Sequence, residues 1–162
     1  MDEKFIEDIN SVGATFRQLS TKVKLLGLLE KAKAEYDKNN ASNCCEICLE
    51  ILKVYPDNAA ALRGLGCVSQ TEGNIDNALM YFKKALENSE NKEIEYTLIG
   101  TIFYNNNEFD KAIEYYNLAI DCNDNYDLAY EGKNQSILER HLVLADLQDS
   151  LIKKGIDNFG IG

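Results

Sequence analysis

Residues 59 to 126 can be laid on themselves with a shift of 34, and the small and large residues coincide. Gly66 falls on Gly100, Ala78 on Ala112, Tyr81 on Tyr115, Phe82 on Tyr116 and Ala85 on Ala119. The apolar Leu65, Leu79 and Leu86 fall on Ile99, Ile113 and Ile120. A tandem period of this length marks a stacked array, in which each unit buries its apolar face only against the next. The surface of such an array suits binding or assembly.

With 162 residues the chain is the size of one domain and long enough to bury roughly 70% of its unfolded surface, so one cooperative unit without staples is expected. Its formal charge is -10. A surface that acidic repels phosphate backbones and anionic headgroups, which argues against nucleic acid and membranes as partners. The start, MDEKFIEDIN, has no basic region followed by an apolar core, and no apolar run is long enough to span a bilayer. Five cysteines without a regular spacing fit free thiols in a reducing compartment, and a cytoplasmic location is expected.

Helical periodicity runs through the chain. Phe5, Ile9, Val12, Phe16 and Leu19 alternate in steps of four and three, which places them on one stripe of an amphipathic helix over residues 2–19. The phase shifts at Ser20 and Thr21, with Thr21 available as a cap, and a second helix from Lys22 to Asp37 carries Leu25, Leu28, Leu29 and Ala32. Lys38, Asn39 and Asn40 read as a turn. A helix from Ser42 to Val54 turns Cys44, Ile47, Cys48, Ile51 and Leu52 inward and ends at Pro56, the single proline.

Two further hairpins follow. The first pairs 59–71 with 75–88 around Gly73, and the second pairs 93–104 with 109–122 around Asn105-Asn106-Asn107, where asparagine takes the place of glycine at positive φ. One long helix is expected from Asp127, with Leu128, Ile137, Leu138, Leu144, Leu147 and Leu151 inward and Lys153-Lys154-Gly155 at its end. Ile156 and Phe159, in the tail 156–162, are candidates to fold back.

At these positions the chain resembles the tetratricopeptide repeat family. Leu62, Leu65, Gly66, Ala78, Phe82 and Ala85 occupy its signature places in one unit, and Tyr96, Ile99, Gly100, Phe103, Ala112, Tyr116 and Ala119 in the next. Counting back from Pro56 gives a degenerate first unit, 25–58, with Leu28, Ala32, Cys44, Cys48 and Ile51 in signature places. The resemblance implies an all-α, right-handed superhelix of three helix-turn-helix repeats, 25–58, 59–92 and 93–126. It is flanked by an N-terminal helix, 1–21, and a C-terminal capping helix, 127–155, in a single domain. Lys133 and Asn134 stand where a fourth repeat would need small residues, so the last helix is read as a cap.

In that family the exposed face of each first helix lines a concave groove. The resemblance places Leu26, Leu29, Lys33 and Tyr36, then Ala60, Arg63, Cys67 and Gln70, then Ile94, Thr97, Thr101 and Tyr104, then Leu128, Glu131 and Gln135 on it. Charge is scarce there, and the carboxylates Glu46, Glu50, Asp76, Glu87, Glu108, Asp110 and Glu114 fall on second helices and turns. A groove of this chemistry suits a peptide or partner helix held by apolar anchors, with Lys33 and Arg63 to pair an acidic group. The family's carboxylate clamp for chaperone tails does not match, because its places hold Leu29, Lys33, Gly64, Ile94 and Leu98.

Catalytic and metal chemistry find little support. Cys44, Cys45 and Cys48 share a helix, but Cys44 and Cys48 sit in core places with no histidine nearby, which fits buried thiols better than a metal site. Cys67, on the groove face, is a small hydrophobe with the alternative of a reactive thiol. His141 with Ser136 and Asp146 lacks the helical spacing of a triad, and Gly132-Lys133 lacks the rest of a phosphate loop. The expectation is a non-enzymatic interaction module with no cofactor. The rival reading is a homodimer built through the stripe of the first helix or the far face of the last. A third reading lays the first helix in the chain's own groove.

Overall fold

The computed structural model describes the backbone of residues 3–158 and the side chains of residues 11–155. Their regular structure is α-helical: α1 (Glu3–Asp37), α2 (Ala41–Val54), α3 (Ala59–Thr71), α4 (Ile75–Asn88), α5 (Lys92–Asn105), α6 (Phe109–Cys122) and α7 (Asp127–Asn158). They fall into two compact units, Met1–Asn88 with α1 to α4 and Ser89–Gly162 with α5 to α7.

Three of the interhelical turns are built alike. Positive φ occurs at Asn39 (62°), Gly73 (77°) and Asn107 (61°), each 34 residues after the one before. At each the amide of this residue bonds the carbonyl three back, as in Asn39 N to Tyr36 O (2.8 Å), Gly73 N to Gln70 O (3.1 Å) and Asn107 N to Tyr104 O (2.9 Å). The following amides of Asn40, Asn74 and Glu108 reach Glu35, Ser69 and Phe103, five residues back. This paired pattern closes a helix C-terminus around a left-handed residue, and glycine and asparagine are the residues that tolerate it. Asn40 and Asn74 then cap the next helix, their side chains accepting from the amides of Asn43 and Asn77. The remaining connection of unit 1 uses Pro56 and Asn58, whose Oδ1 accepts from the Ala61 amide at 2.9 Å.

In unit 1, α1 packs on α2 and α3, α2 on α3, and α3 on α4. Ala32, Cys44, Ile47, Cys48, Ile51, Ala61, Leu65 and Val68 form the core, with Leu25, Leu28, Leu29 and Tyr36 against it. The expected break at Ser20 and Thr21 does not occur, since α1 is one helix of 35 residues. The Thr21 hydroxyl donates to the Arg17 carbonyl at 2.9 Å, a bond within the helix that leaves no capping function, and Thr15 does the same to Ser11. What looked like a break is a change of face. Downstream, Leu25, Leu28, Leu29 and Ala32 meet α2 and α3; upstream, Val12, Phe16, Leu19 and Val23 are exposed. The first helix therefore does not lie in the chain's own groove: over residues 11–23 its stripe is uncovered, and it runs straight on into Leu29 and Lys33. The side chains of Phe5 and Ile9 lie outside the described residues.

In unit 2, α6 packs against α5 and α7, and α5 also meets α7. Ala112, Tyr116, Ala119 and Ala129 are its buried centre, flanked by Tyr96, Phe103, Tyr104, Ile120 and Tyr126. The inward face of α7 differs from the expected one. Leu128, Leu138, Leu144, Leu147 and Leu151 are all more than half exposed, while Ala129 and Ser136 are fully buried. Against α6 the large Tyr116 ring leaves no room for a β-carbon at position 132, so α7 turns the small Ala129 and Gly132 to it. Ser136 Oγ satisfies itself by donating to the Gly132 carbonyl at 2.7 Å. Gly155 does not stop α7, because it keeps helical geometry and the helix continues to Asn158. The side chains of Ile156 and Phe159 lie outside the described residues.

Candidate functional site

Six of the residues expected on a groove come together in unit 1. Leu29, Lys33 and Tyr36 recur at steps of four and three on α1, and Ala60, Arg63 and Cys67 do so at three and four on α3. These six, with Glu30, Ala32, Asp37, Cys44, Cys48 and Gly64, line a cavity of about 510 Å³. Gly64 keeps the floor open, because a β-carbon there would stand 2.7 Å from Cys48 Sγ.

The floor is uncharged. Burial pushes the Cys48 thiol up to about 12, with neighbouring Cys44 adding to it, and burial also raises Cys44. Burial first, and the neighbouring Cys67 and Cys44 second, raise the Tyr36 phenol. Protonated thiols are poor nucleophiles and poor metal ligands, so Cys44 and Cys48 act here as small apolar side chains. Charge enters through Lys33 and Arg63, with Glu30 and Asp37 as the acidic members of the lining. This arrangement can hold an apolar side chain beside a carboxylate. Gln70 lies further along α3, half-buried and outside the lining.

The other expected groove residues belong to unit 2 and are used differently. Thr101 Oγ1 donates to the Thr97 carbonyl at 2.9 Å and lies 3.2 Å from the Tyr116 hydroxyl. Tyr104 packs edge-on against Phe109, ring centroids 5.8 Å apart. Thr97 is half-buried, and Glu131 and Gln135 are exposed on α7. Sequence reasoning missed a second cleft, of about 390 Å³, where Asn107, Glu108, Phe109, Asp110 and Lys111 face Arg140, Val143 and Leu144. Arg140 Nη1 bonds Asp110 Oδ1 there at 2.9 Å. Periodicity carries no signal for such a pair, which is set by how α7 crosses α6.

A family model described as tetratricopeptide repeat matches residues 61–92 and 96–126. No curated protein sequence gives a significant match. Among solved structures, an O-GlcNAc transferase mutant of Thermobaculum terrenum matches with a TM-score of 0.65 and 19% identity. That match covers 72% of this chain and 22% of the transferase chain, so the chain spans about a fifth of its length. The Sgt2 TPR domain from Aspergillus fumigatus also matches with a TM-score of 0.65, at 16% identity, covering 76% of this chain and 82% of that one. The first TPR of Spaghetti (RPAP3), bound to the HSP90 peptide SRMEEVD, matches with a TM-score of 0.62 and 13% identity over 71% of this chain and 91% of that one. Two adjoining repeats matched in sequence, an all-helical fold shared with these structures and a turn that recurs every 34 residues identify residues 61–126 as tetratricopeptide repeats within an all-helical chain.

Proposed function

We propose that the chain is a non-catalytic protein-interaction module that holds a peptide or partner helix on the exposed face of α1 and α3. The observation that carries this reading is the cavity of about 510 Å³, whose lining includes Leu29, Lys33, Tyr36, Ala60, Arg63 and Cys67. Its size suits an aliphatic or aromatic anchor of a bound segment, and such anchors dominate recognition of this kind. Lys33 and Arg63 favour a carboxylate next to the anchor. In this reading residues 25–58 act as a degenerate first repeat, supported by the turn at Asn39 that matches those at Gly73 and Asn107.

The solved relative that carries an HSP90 peptide supports peptide binding as the class of activity. The ligand differs from that peptide, because a clamp for a terminal carboxylate needs polar side chains where this chain has Leu29 and Gly64. The net charge of -10 favours protein over nucleic acid or an anionic membrane, and a cytoplasmic setting fits the free thiols. No described helix is long and apolar enough to cross a membrane.

The test is fluorescence anisotropy with labelled peptides that carry one leucine or phenylalanine next to glutamates, with SRMEEVD as comparison. Binding of the acidic apolar peptides, lost in Lys33→Glu and in Cys67→Trp, which fills the cavity, is the expected outcome. Binding that neither substitution changes would remove the cavity from consideration.

A further inference from the structure

We propose that the exposed apolar seam of α1 is the interface with a second copy of this chain, the two α1 helices lying antiparallel and crossing near Gly13 and Ala14. Val12, Phe16, Leu19, Val23 and Leu26 follow one another at steps of four, three, four and three. That spacing keeps a stripe facing one partner helix along a two-stranded coiled coil. α1 runs unbroken through it, and Val12 and Phe16 are 70% and 72% exposed. The contacts of α1 with the core of unit 1 begin only at Leu25. A single exposed apolar residue is ordinary, but a continuous seam of five on one helix is an unfilled interface.

The charges select the occupant. From Ser11 to Leu29 the charged residues are Arg17, Lys22 and Lys24, all basic, whereas Glu3, Glu7 and Asp8 precede them in sequence with Lys4 as the one opposing charge after Asp2. A parallel copy sets like charge beside like. An antiparallel copy sets the acidic start of each α1 against the basic stretch of the other. With Val12 opposite the partner's Phe16, the register sets Leu19 against position 9 of the partner helix and Lys22 beside position 8. This register covers the seam from Val12 to Val23 and sets opposite charges side by side, over a helix overlap of roughly 35 Å, with Leu26 just beyond it.

Gly13, on the flank of the seam at the proposed crossing, agrees. Gly13 and Gly27 stand seven residues to either side of Ser20, each next to a seam residue. A β-carbon at Gly27 would meet nothing within 4 Å, and at Gly13 only the tip of Arg17 at 3.8 Å. Glycine weakens a helix, and neither position is explained by packing within this chain. A partner backbone close to Gly13 explains it.

The test is light scattering on the full chain with circular dichroism alongside. The expected mass is twice 18.3 kDa. Phe16→Glu halves it with helicity retained, and Leu147→Glu, on the exposed side of α7, leaves it unchanged. Oxidised cysteine variants, read against the parent with its native thiols, give the direction. Thr15→Cys links to itself, Lys22→Cys does not, and Lys22→Cys mixed with Asp8→Cys does. A monomeric full chain, a dimer lost through Leu147→Glu instead of Phe16→Glu, or self-linking of Lys22→Cys each overturns the proposal.

Discussion

Gly132 faces the ring of Tyr116 so closely that a β-carbon on it would stand 2.4 Å from Cζ and 2.8 Å from the hydroxyl. Tyr116 is itself 3% exposed and has nowhere to go. Gly66 stands in the same relation to Phe82 in unit 1, where a β-carbon would be 2.4 Å from Cε1. Gly132→Ala and Gly66→Ala should each cost about 1–3 kcal/mol through overpacking, even though alanine favours a helix. Gly27→Ala meets open space and should instead stabilise by about 0.5–1 kcal/mol. Urea unfolding of the three variants measures the contrast, and a stabilised Gly132→Ala would contradict the packing described.

Gly132 also marks where the pattern in the sequence stops being legible. The repeat predicts a small residue in the region of Asn134, 34 residues after Gly100, but α7 presents its glycine two positions earlier. The helices between Ala41 and Cys122, and their turns, could be read because glycine, asparagine and proline encode turns locally. The face of α7 could not, because leucines on a long helix look like a core stripe until the neighbour's bulk is known. The continuity of α1 was hidden for a related reason: a stripe that changes face gives the same phase shift as a helix break. For the candidate site, the family resemblance placed Leu29, Lys33, Arg63 and Cys67 on one face, and all four line the cavity of unit 1. The part of the floor made by Gly64 lying against Cys48 depends on how α2 meets α3, which the period does not carry.

The buried thiols predict an alkaline loss of stability. Cys48 is pushed from an ordinary value of 9.0 up to about 12, chiefly by burial, and burial raises Cys44 and Cys45 as well. Above pH 9 the unfolded chain releases protons that the folded chain keeps. The folded state then binds more protons, so stability falls as pH rises from 9 towards about 12, with a slope of at most ~1.4 kcal/mol per pH unit for each thiol. Tyr36 and Tyr116, both raised by burial, add to the fall above pH 10. Urea midpoints should be flat near neutrality and decline in alkali, with a shallower decline in Cys48→Ala. A midpoint that rises with pH in this range would contradict the burial of these groups.

The ion pair between Asp110 and Arg140 should matter little to stability despite its 2.9 Å separation. The Asp110 side chain is 80% exposed, so water and salt screen the attraction. Asp110→Ala is expected to cost about 0–1 kcal/mol, and less at high ionic strength. A loss of several kcal/mol by urea unfolding, insensitive to salt, would show that the pair is shielded in solution.

Thr101 and Tyr116 should behave asymmetrically. The single hydroxyl proton of Thr101 is given to the Thr97 carbonyl at 2.9 Å, so across the 3.2 Å contact Tyr116 is the donor and Thr101 the acceptor. Tyr116→Phe removes a donor whose acceptor keeps its other bond, and should cost about 0.5–1.5 kcal/mol. Thr101→Val keeps the shape but strands the phenol of a residue only 3% exposed, with the penalty of about 1–3 kcal/mol for an unpaired buried group. The double variant removes donor and acceptor together, and should be less destabilised than the sum of the single changes. A double-mutant cycle in urea measures this directly. Strict additivity would show that the two hydroxyls do not interact, and a Tyr116→Phe cost larger than that of Thr101→Val would reverse the direction of the bond.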